Sequence, residues 1–264
     1  MKKIKLGIQT HSVREDFVAD PAATLLKIAE IGYSGIETTY GALQLTKYPV
    51  DYHVEALKAA NLECFSIMIG ENDLKDEKLN EVIEVCKKLS CGTLVIGSVN
   101  LKPLAEDFDY RFKLIEMIKS AADKIRAAGL RAGFHNHDID HLTTVDGKKE
   151  FLDFLFENIT EDFMMMIDTG NTQGGGADPI EYIKKYPNRT QICHFKGYSP
   201  ELKYTTPIWL SAIDGDELID TLVSYGDAEI LSVEFGARSV YIPMNRAKHS
   251  YNWLAEKLTK KGLM

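Results

Sequence analysis

The sequence predicts an α/β chain that closes about eight parallel strands into a barrel with its helices outside. Three observations carry that reading. Short apolar runs alternate with stretches of helical periodicity along the whole chain, about eight times. At 264 residues and 45% hydrophobic, the chain matches one α/β barrel better than two small domains, so residues 1–264 are read as a single domain. The last four apolar runs each end in a side chain able to carry chemistry: His135, Asp168, His194 and Glu234. A barrel of this kind places its active site at the C-terminal ends of the strands.

The elements follow in order. A first strand covers residues 4–9. Asp20 and Pro21 then supply an N-cap and a first-turn proline for a helix over 22–31, closed by Gly32. Strand 33–37, helix 50–60 and strand 62–69 repeat the unit, and helix 79–89, strand 93–96 and a long helix over 110–128 continue it. The run from Leu130 to Phe134 leads into Gly133-Phe134-His135-Asn136-His137-Asp138. There two imidazoles one residue apart project to one side of an emerging strand. Helix 149–158, strand 163–168, helix 179–186, strand 191–194, helix 217–225, strand 229–234 and helix 244–259 complete the chain. An open, doubly wound sheet would usually need fewer units. For a dinucleotide it would also need G-x-G-x-x-G after the first strand, where this chain reads Gly7-Ile8-Gln9-Thr10-His11. Gly174-Gly175-Gly176 reads as loop flexibility ahead of the capped helix start Asp178-Pro179-Ile180-Glu181.

Charge and composition narrow the function. Thirty-one Lys and Arg against 39 Asp and Glu give a net charge of −8, which argues against a nucleic-acid partner. The basic run 257–261 reads as the solvated face of a terminal helix. Cys64, Cys86, Cys91 and Cys193 show no C-x-x-C spacing and are expected to be reduced structural thiols. No uncharged run is long enough to span a bilayer, and Lys5, Gln9 and His11 interrupt what would otherwise resemble a signal sequence. The expected location is the cytoplasm, with no membrane partner.

Walking round the strand ends gives Gln9, His11, Glu37, Glu71, His135, His137, Asp168, His194, Lys196 and Glu234 as candidates. Taken alone, Asp168 ahead of Thr169-Gly170-Asn171 would be a turn-former, and His194 or Glu234 a packing residue. Packing accidents would not put an Asp, a His and a Glu at equivalent ends of three consecutive strands, so the joint pattern points to a shared metal or acid/base site. Of His135 and His137 one is expected to reach a metal and the other to serve as an acid/base or a substrate partner. Asp138, Asp140 and His141 are assigned to the emerging loop, with His141 exposed. Met164-Met165-Met166 is read as core. His53 and His249 fall in helices and are given no role.

These segments resemble a known family. Gly7-Ile8-Gln9 followed by Ser12-Val13-Arg14, Tyr33-Ser34-Gly35-Ile36-Glu37, Gly133-Phe134-His135-Asn136-His137, Asp168-Thr169-Gly170-Asn171, Gly176-Ala177-Asp178-Pro179, Lys185-Tyr186-Pro187-Asn188-Arg189, His194-Phe195-Lys196 and Val233-Glu234 are similar to the sugar phosphate isomerase/epimerase family with the xylose isomerase-like TIM barrel. The resemblance implies a divalent metal held by groups from the fifth to eighth strands, with Asp168, His194 and Glu234 matching the ligands of the last three. At the fifth strand the family commonly has Glu, and the matching residue here is His135. A His/Asp/His/Glu set suits Mn²⁺, Zn²⁺, Co²⁺ or Fe²⁺ better than Mg²⁺. The family's two-glutamate proton shuttle then changes: Glu234 acts as both ligand and acid/base, opposed by His137, with Lys196 also available to carry protons.

The expected activity is that of a metal-dependent sugar or polyol isomerase or epimerase, moving a proton next to a carbonyl through an enediolate. A dehydratase or lyase acting on a keto-sugar through the same enolate is the runner-up, and a non-catalytic sugar-binding barrel is the alternative of another class. Gln9, Glu37 and Arg189 are assigned to substrate binding. Arg189, Lys196 and Arg238 are the cations that could meet an anion, although no phosphate cradle is recognisable. The partner is a small-molecule sugar or polyol, and the reading leaves room for a homo-oligomer.

Overall fold

The computed structural model describes residues 2–105, 107, 109–236 and 242–264; Arg238 lies outside them. Its eight strands are β1 Lys5–Gln9, β2 Gly35–Thr39, β3 Glu63–Gly70, β4 Thr93–Ser98, β5 Arg131–His135, β6 Met164–Met166, β7 Ile192–Phe195 and β8 Ile230–Val233. They pair in parallel in the order β6-β5-β4-β3-β2-β1-β8-β7. The seam between β6 and β7 carries an isolated parallel bridge between Asp168 and His194, so the ring is nearly closed and two candidate site residues sit on its closure.

Local sequence accounts for the elements. The helix Pro21–Ile31 starts where the Asp20 side chain accepts from the Ala23 N–H (3.0 Å) and stops at Gly32 (φ 118°). Strand residues alternate between two apolar environments. Leu6, Ile8, Ile36, Ile67, Leu94, Ile96, Phe134, Leu231 and Val233 belong to the core between sheet and helices. Phe65, Val95, Met164, Met166, Ile192 and Ile230 fill the barrel itself. Below this plug the ion pairs Lys5–Glu63 (2.6 Å) and Arg131–Glu229 (3.1 Å) close the N-terminal end. Polar residues above it therefore face only the C-terminal mouth.

Some boundaries differ from expectation. β6 ends at Met166 because the Asp168 N–H turns away to the Asn136 side chain (2.8 Å). Helix Gly215–Thr221 passes into a π turn over Leu222–Gly226, where one continuous helix was expected. Short helices at Arg14–Ala19, Tyr40–Leu45, Asp138–Leu142 and Thr169–Gly174 follow strands and wall the mouth. The Gly174-Gly175-Gly176 run is not a flexible spacer. A Cβ on Gly175 would lie 2.7 Å from the His141 Cβ and 3.0 Å from the Asp138 carbonyl, so this glycine allows a close approach.

A register shift between Ile36 and Glu37 inserts Phe65 into β3 as an extra residue. Its ring lies over two glycines: a Cβ on Gly7 would come within 2.9 Å of it and a Cβ on Gly35 within 2.6 Å. The same added Cβ on Gly35 would also come within 2.6 Å of the Glu63 carbonyl oxygen, an atom fixed in the ladder. Gly35→Ala is therefore expected to cost about 1–3 kcal/mol in urea unfolding, in the range for overpacked cores. An unchanged midpoint would show that the floor of the barrel has slack.

Candidate metal centre at the C-terminal mouth

The end of β5 is fixed first. Asn136 points away from the barrel axis: its Oδ1 accepts from the Asp168 N–H (2.8 Å), its Nδ2 donates to Thr172 Oγ1 (2.9 Å), and its carbonyl accepts from Asn171 Nδ2 (3.0 Å). It therefore locks the tip of β5 to the tip of β6. The Asn136 Nδ2 also meets His141 Nε2 at 3.1 Å, which makes that nitrogen an acceptor and leaves His141 Nδ1–H to donate to Glu150 Oε2 (2.9 Å). His141 is thus buried rather than exposed, because two partners on separate elements satisfy both of its ring nitrogens.

Asp168 divides its carboxylate. Oδ1 caps helix Thr169–Gly174 by accepting from the Asn171 N–H (2.7 Å), and Oδ2 is left facing the barrel axis. Around it stand His135 Nε2 at 3.6 Å, His194 Nδ1 at 3.8 Å and Lys196 Nζ at 3.4 Å. Glu234 Oε2 lies 2.8 Å from His194 Nδ1, and its Oε1 accepts from Lys196 Nζ at 2.9 Å. One donor atom from each of His135, Asp168, His194 and Glu234 falls within 4.8 Å of the other three, and all four residues are buried.

This group fits a cation on its own chemistry. Both ring nitrogens of His135, Oδ2 of Asp168 and Nδ1 of His194 are buried without a hydrogen-bond partner; the close His194–Glu234 approach lacks hydrogen-bonding geometry. Orphan polar atoms of this kind cost roughly 1–3 kcal/mol each. With both imidazoles neutral, the carboxylates of Glu37, Asp168 and Glu234 outnumber the single ammonium of Lys196 by two, the charge of a divalent ion. The polarity of the group also shows in the protonation of its own side chains. Burial opposes charge at Asp168 and Glu234, yet Lys196 and the imidazoles beside them hold both carboxyls below the usual range. Burial likewise opposes charge on His194, but Glu37, Asp168 and Glu234 hold it well above an ordinary imidazole.

Of the other expected residues, Gln9 and His137 line a cavity of about 400 Å³ at the mouth, together with Met68, His135 and Glu234. Burial, reinforced by His135, lowers His137 to about 4. Two assignments to substrate binding need correction. Glu37 is fully buried one layer below the cavity, its Oε1 3.0 Å from His194 Nε2 and its Oε2 accepting from Ser66, so the carboxylate is consumed by orienting the imidazole. Arg189 lies just before β7, at the opposite end of the barrel. Its guanidinium donates to the carbonyls of Phe163 (3.1 Å), Phe156 (3.1 Å) and Thr160. Asn136 was missed by sequence reasoning; the signal was a polar residue between two histidines, on the face directed away from them.

Fold and site together define a parallel α/β barrel with a buried His/Asp/His/Glu group, able to bind a metal, at its C-terminal mouth. The chain belongs to the family of xylose isomerase-like TIM barrels, whose model matches residues 25–257. Among solved structures it is similar to a sugar phosphate isomerase/epimerase from Parabacteroides distasonis, at 18% identity and TM-score 0.77, over 96% of this chain and 94% of that one. An L-ribulose 3-epimerase matches at 16% identity and TM-score 0.72, over 97% and 95% of the two chains. The IOLI protein, solved with a zinc atom, matches at 14% identity and TM-score 0.73, over 97% and 99%. At these identities the likeness is one of fold. Comparison with curated protein sequences gives no match. Among the described residues no helix is long and apolar enough to cross a membrane.

Asp140 provides a pH test of this packing. Its Oδ2 accepts from the His137 N–H at 2.6 Å, but burial, the larger effect, raises the carboxyl from 3.8 to about 7. The folded state then binds more protons than the unfolded chain between about pH 4 and 7, so stability falls as pH rises through that window. Asp140→Asn keeps an acceptor for the N–H and cannot ionise. It should match the parent near pH 4 and exceed it by roughly 2–4 kcal/mol at pH 8 in chemical unfolding. Parallel pH profiles for the two proteins would contradict this.

Proposed function

We propose that the chain is a metal-dependent sugar or polyol isomerase or epimerase that moves a proton on the carbon next to a carbonyl. The observation that carries this reading is the buried group of four donor residues, three of them with unpartnered donor atoms, two charges short of balance. Family membership and the sugar-directed activities of the similar epimerases support the reaction class.

In this reading His135, Asp168, His194 and Glu234 hold a divalent cation, with Mn²⁺, Zn²⁺, Co²⁺ or Fe²⁺ favoured over Mg²⁺ by the two imidazoles. When bound, such an ion polarises a carbonyl and its neighbouring hydroxyl. The protein's own residues supply the rest. Glu37 accepts from His194 Nε2–H, which fixes the tautomer and turns the Nδ1 lone pair toward the group. Lys196, held by Asn171 Oδ1 (3.1 Å) and Glu234 Oε1, keeps two carboxylates ionised in a dry site. Glu234 and His137 line the same cavity, where they take and return the proton at the reacting carbon through an enediolate. Gln9, whose side chain also lines that cavity, is a hydrogen-bonding partner for the sugar.

Alanine at Asp168, His194 or Glu234 should remove most of the metal from the purified protein, measured by elemental analysis. Unchanged metal content in all three variants would place any metal elsewhere. The proton-transfer assignment has its own test, in which His137→Gln keeps its metal and loses about 10²- to 10⁴-fold of solvent deuterium exchange into a substrate sugar. Full exchange in a folded, metal-loaded variant would remove His137 from the reaction.

A further inference from the structure

Three of the four free cysteines meet at the end of the barrel opposite the metal centre. Cys86 lies in the last turn of the helix Asp76–Lys88, Cys91 follows that helix, and Cys64 stands at the start of β3. Cys193, on β7, lies outside this cluster.

The chain folds the three together for two separate reasons. The helix ends in a Schellman turn: Ser90 takes a φ of 53°, its N–H donates to the Lys87 carbonyl (3.1 Å), and the Cys91 N–H donates back to the Cys86 carbonyl (2.9 Å). Such a turn packs the residue after the left-handed one against the residue whose carbonyl it bonds, so Cys91 folds onto Cys86. The sheet brings in the third thiol. β3 and β4 pair with Ile67 opposite Leu94, and three residues back along the chain from each stand Cys64 and Cys91. All four belong to the core between sheet and helices, so the two cysteines are neighbours across the continuation of that ladder, on the side turned to the helices. The Cys91 thiol accordingly meets the thiols of both Cys64 and Cys86.

The two neighbours of Cys91 differ in access. Cys86 is fully buried, whereas Cys64, with Ser90 and Gly92 on either side of Cys91, lines a cavity of about 750 Å³ at the N-terminal end. Adjacent strands lie about 4.8 Å apart, inside the roughly 4.4–6.8 Å between Cα atoms that a disulfide spans.

We propose that Cys64 and Cys91 are an oxidisable pair, closing to a disulfide when hydrogen peroxide enters the N-terminal cavity. The Cys64 sulfur, after losing its proton, attacks the peroxide; an S–O bond forms, the O–O bond breaks, and the departing hydroxide takes up that proton as water. The Cys91 sulfur then attacks the sulfenic sulfur of Cys64. An S–S bond forms, the S–O bond breaks, and hydroxide leaves with the Cys91 proton as a second water. The thiol pair is oxidised by two electrons and the peroxide is reduced to water. The link closes the loop that holds the helix Asp76–Lys88 and fastens β3 to β4. The Cys91 thiol and burial push the Cys64 thiol up, so the first step quickens as pH rises.

Peptide mapping of the full-length protein tests it. The protein is treated with hydrogen peroxide in mildly alkaline buffer, its remaining thiols are blocked with iodoacetamide in urea, and non-reducing digests are read by mass spectrometry. The Cys64 and Cys91 peptides should appear joined, with Cys193 blocked as a free thiol and the link lost on adding dithiothreitol. The linked protein should melt about 4–10 °C above its reduced form, as expected for a cross-link that closes a loop. Cys91→Ala should abolish the link and Cys86→Ala should leave it; the map of the unaltered protein decides the matter even where a variant fails to fold. A Cys86–Cys91 link in place of Cys64–Cys91, or sulfinic acid at Cys64 without any link, would overturn the proposal. So would recovery of all the thiols as blocked, or a Cys64–Cys91 link confined to protein that has lost its cooperative melt.

Discussion

The structure depends on a charge imbalance held in a dry place. Three carboxylates, from β2 and from the ends of β6 and β8, converge on one ammonium and two imidazoles at the mouth of a barrel whose interior below is apolar. Breaking one side of a buried charge pair typically costs about 3–5 kcal/mol, so no member of this group is neutral to its neighbours. Glu37 fixes His194, Lys196 steadies Glu234 and Asp168, and Asn136 fixes the backbone of Asp168. What these contacts leave over is a set of unpartnered donor atoms aimed at a common point, which is the property of a cation site rather than of a packed core.

The scaffold explains why the group is held so closely. A ladder of hydrogen bonds would have closed the ring at β6–β7 in the ordinary way. The chain instead ends β6 early and closes that seam with a single bridge, between the two residues His194 and Asp168. Their relative position is therefore set by the barrel itself, and the Asn136 network supplies the restraint that the missing ladder would have given. The floor beneath them is rigid for a related reason, since Phe65 fills the space that Gly7 and Gly35 leave open.

Much of this was legible in the sequence, and the parts that were not have physical causes. The alternation of apolar runs and helical stretches located all eight strands, and the polar residues ending β5 to β8 did form one group. Glu37 was misplaced because the strand runs on past it: β2 extends to Thr39, so Glu37 lies in mid-strand, one layer down, where its carboxylate meets His194 instead of a sugar. Arg189 was misplaced because a basic residue near a strand says nothing about which end of the barrel it occupies. His141 and the glycine run were misread for one shared reason. His141 lies in a helix too short to show periodicity and the glycine run closes another, and their packing against each other is a tertiary contact between those two short helices.

The most direct measurement is X-ray absorption at the metal edge of protein loaded with Zn²⁺ or Mn²⁺. The account predicts a first coordination sphere with two imidazole nitrogens and otherwise oxygen, and loss of most of that signal in His194→Ala, which should retain little metal. For zinc the nitrogen distances should be about 2.0–2.1 Å. Sulfur in the first sphere, or a spectrum unaffected by loss of His194, would place the metal away from the mouth of the barrel and contradict the assignment of this group.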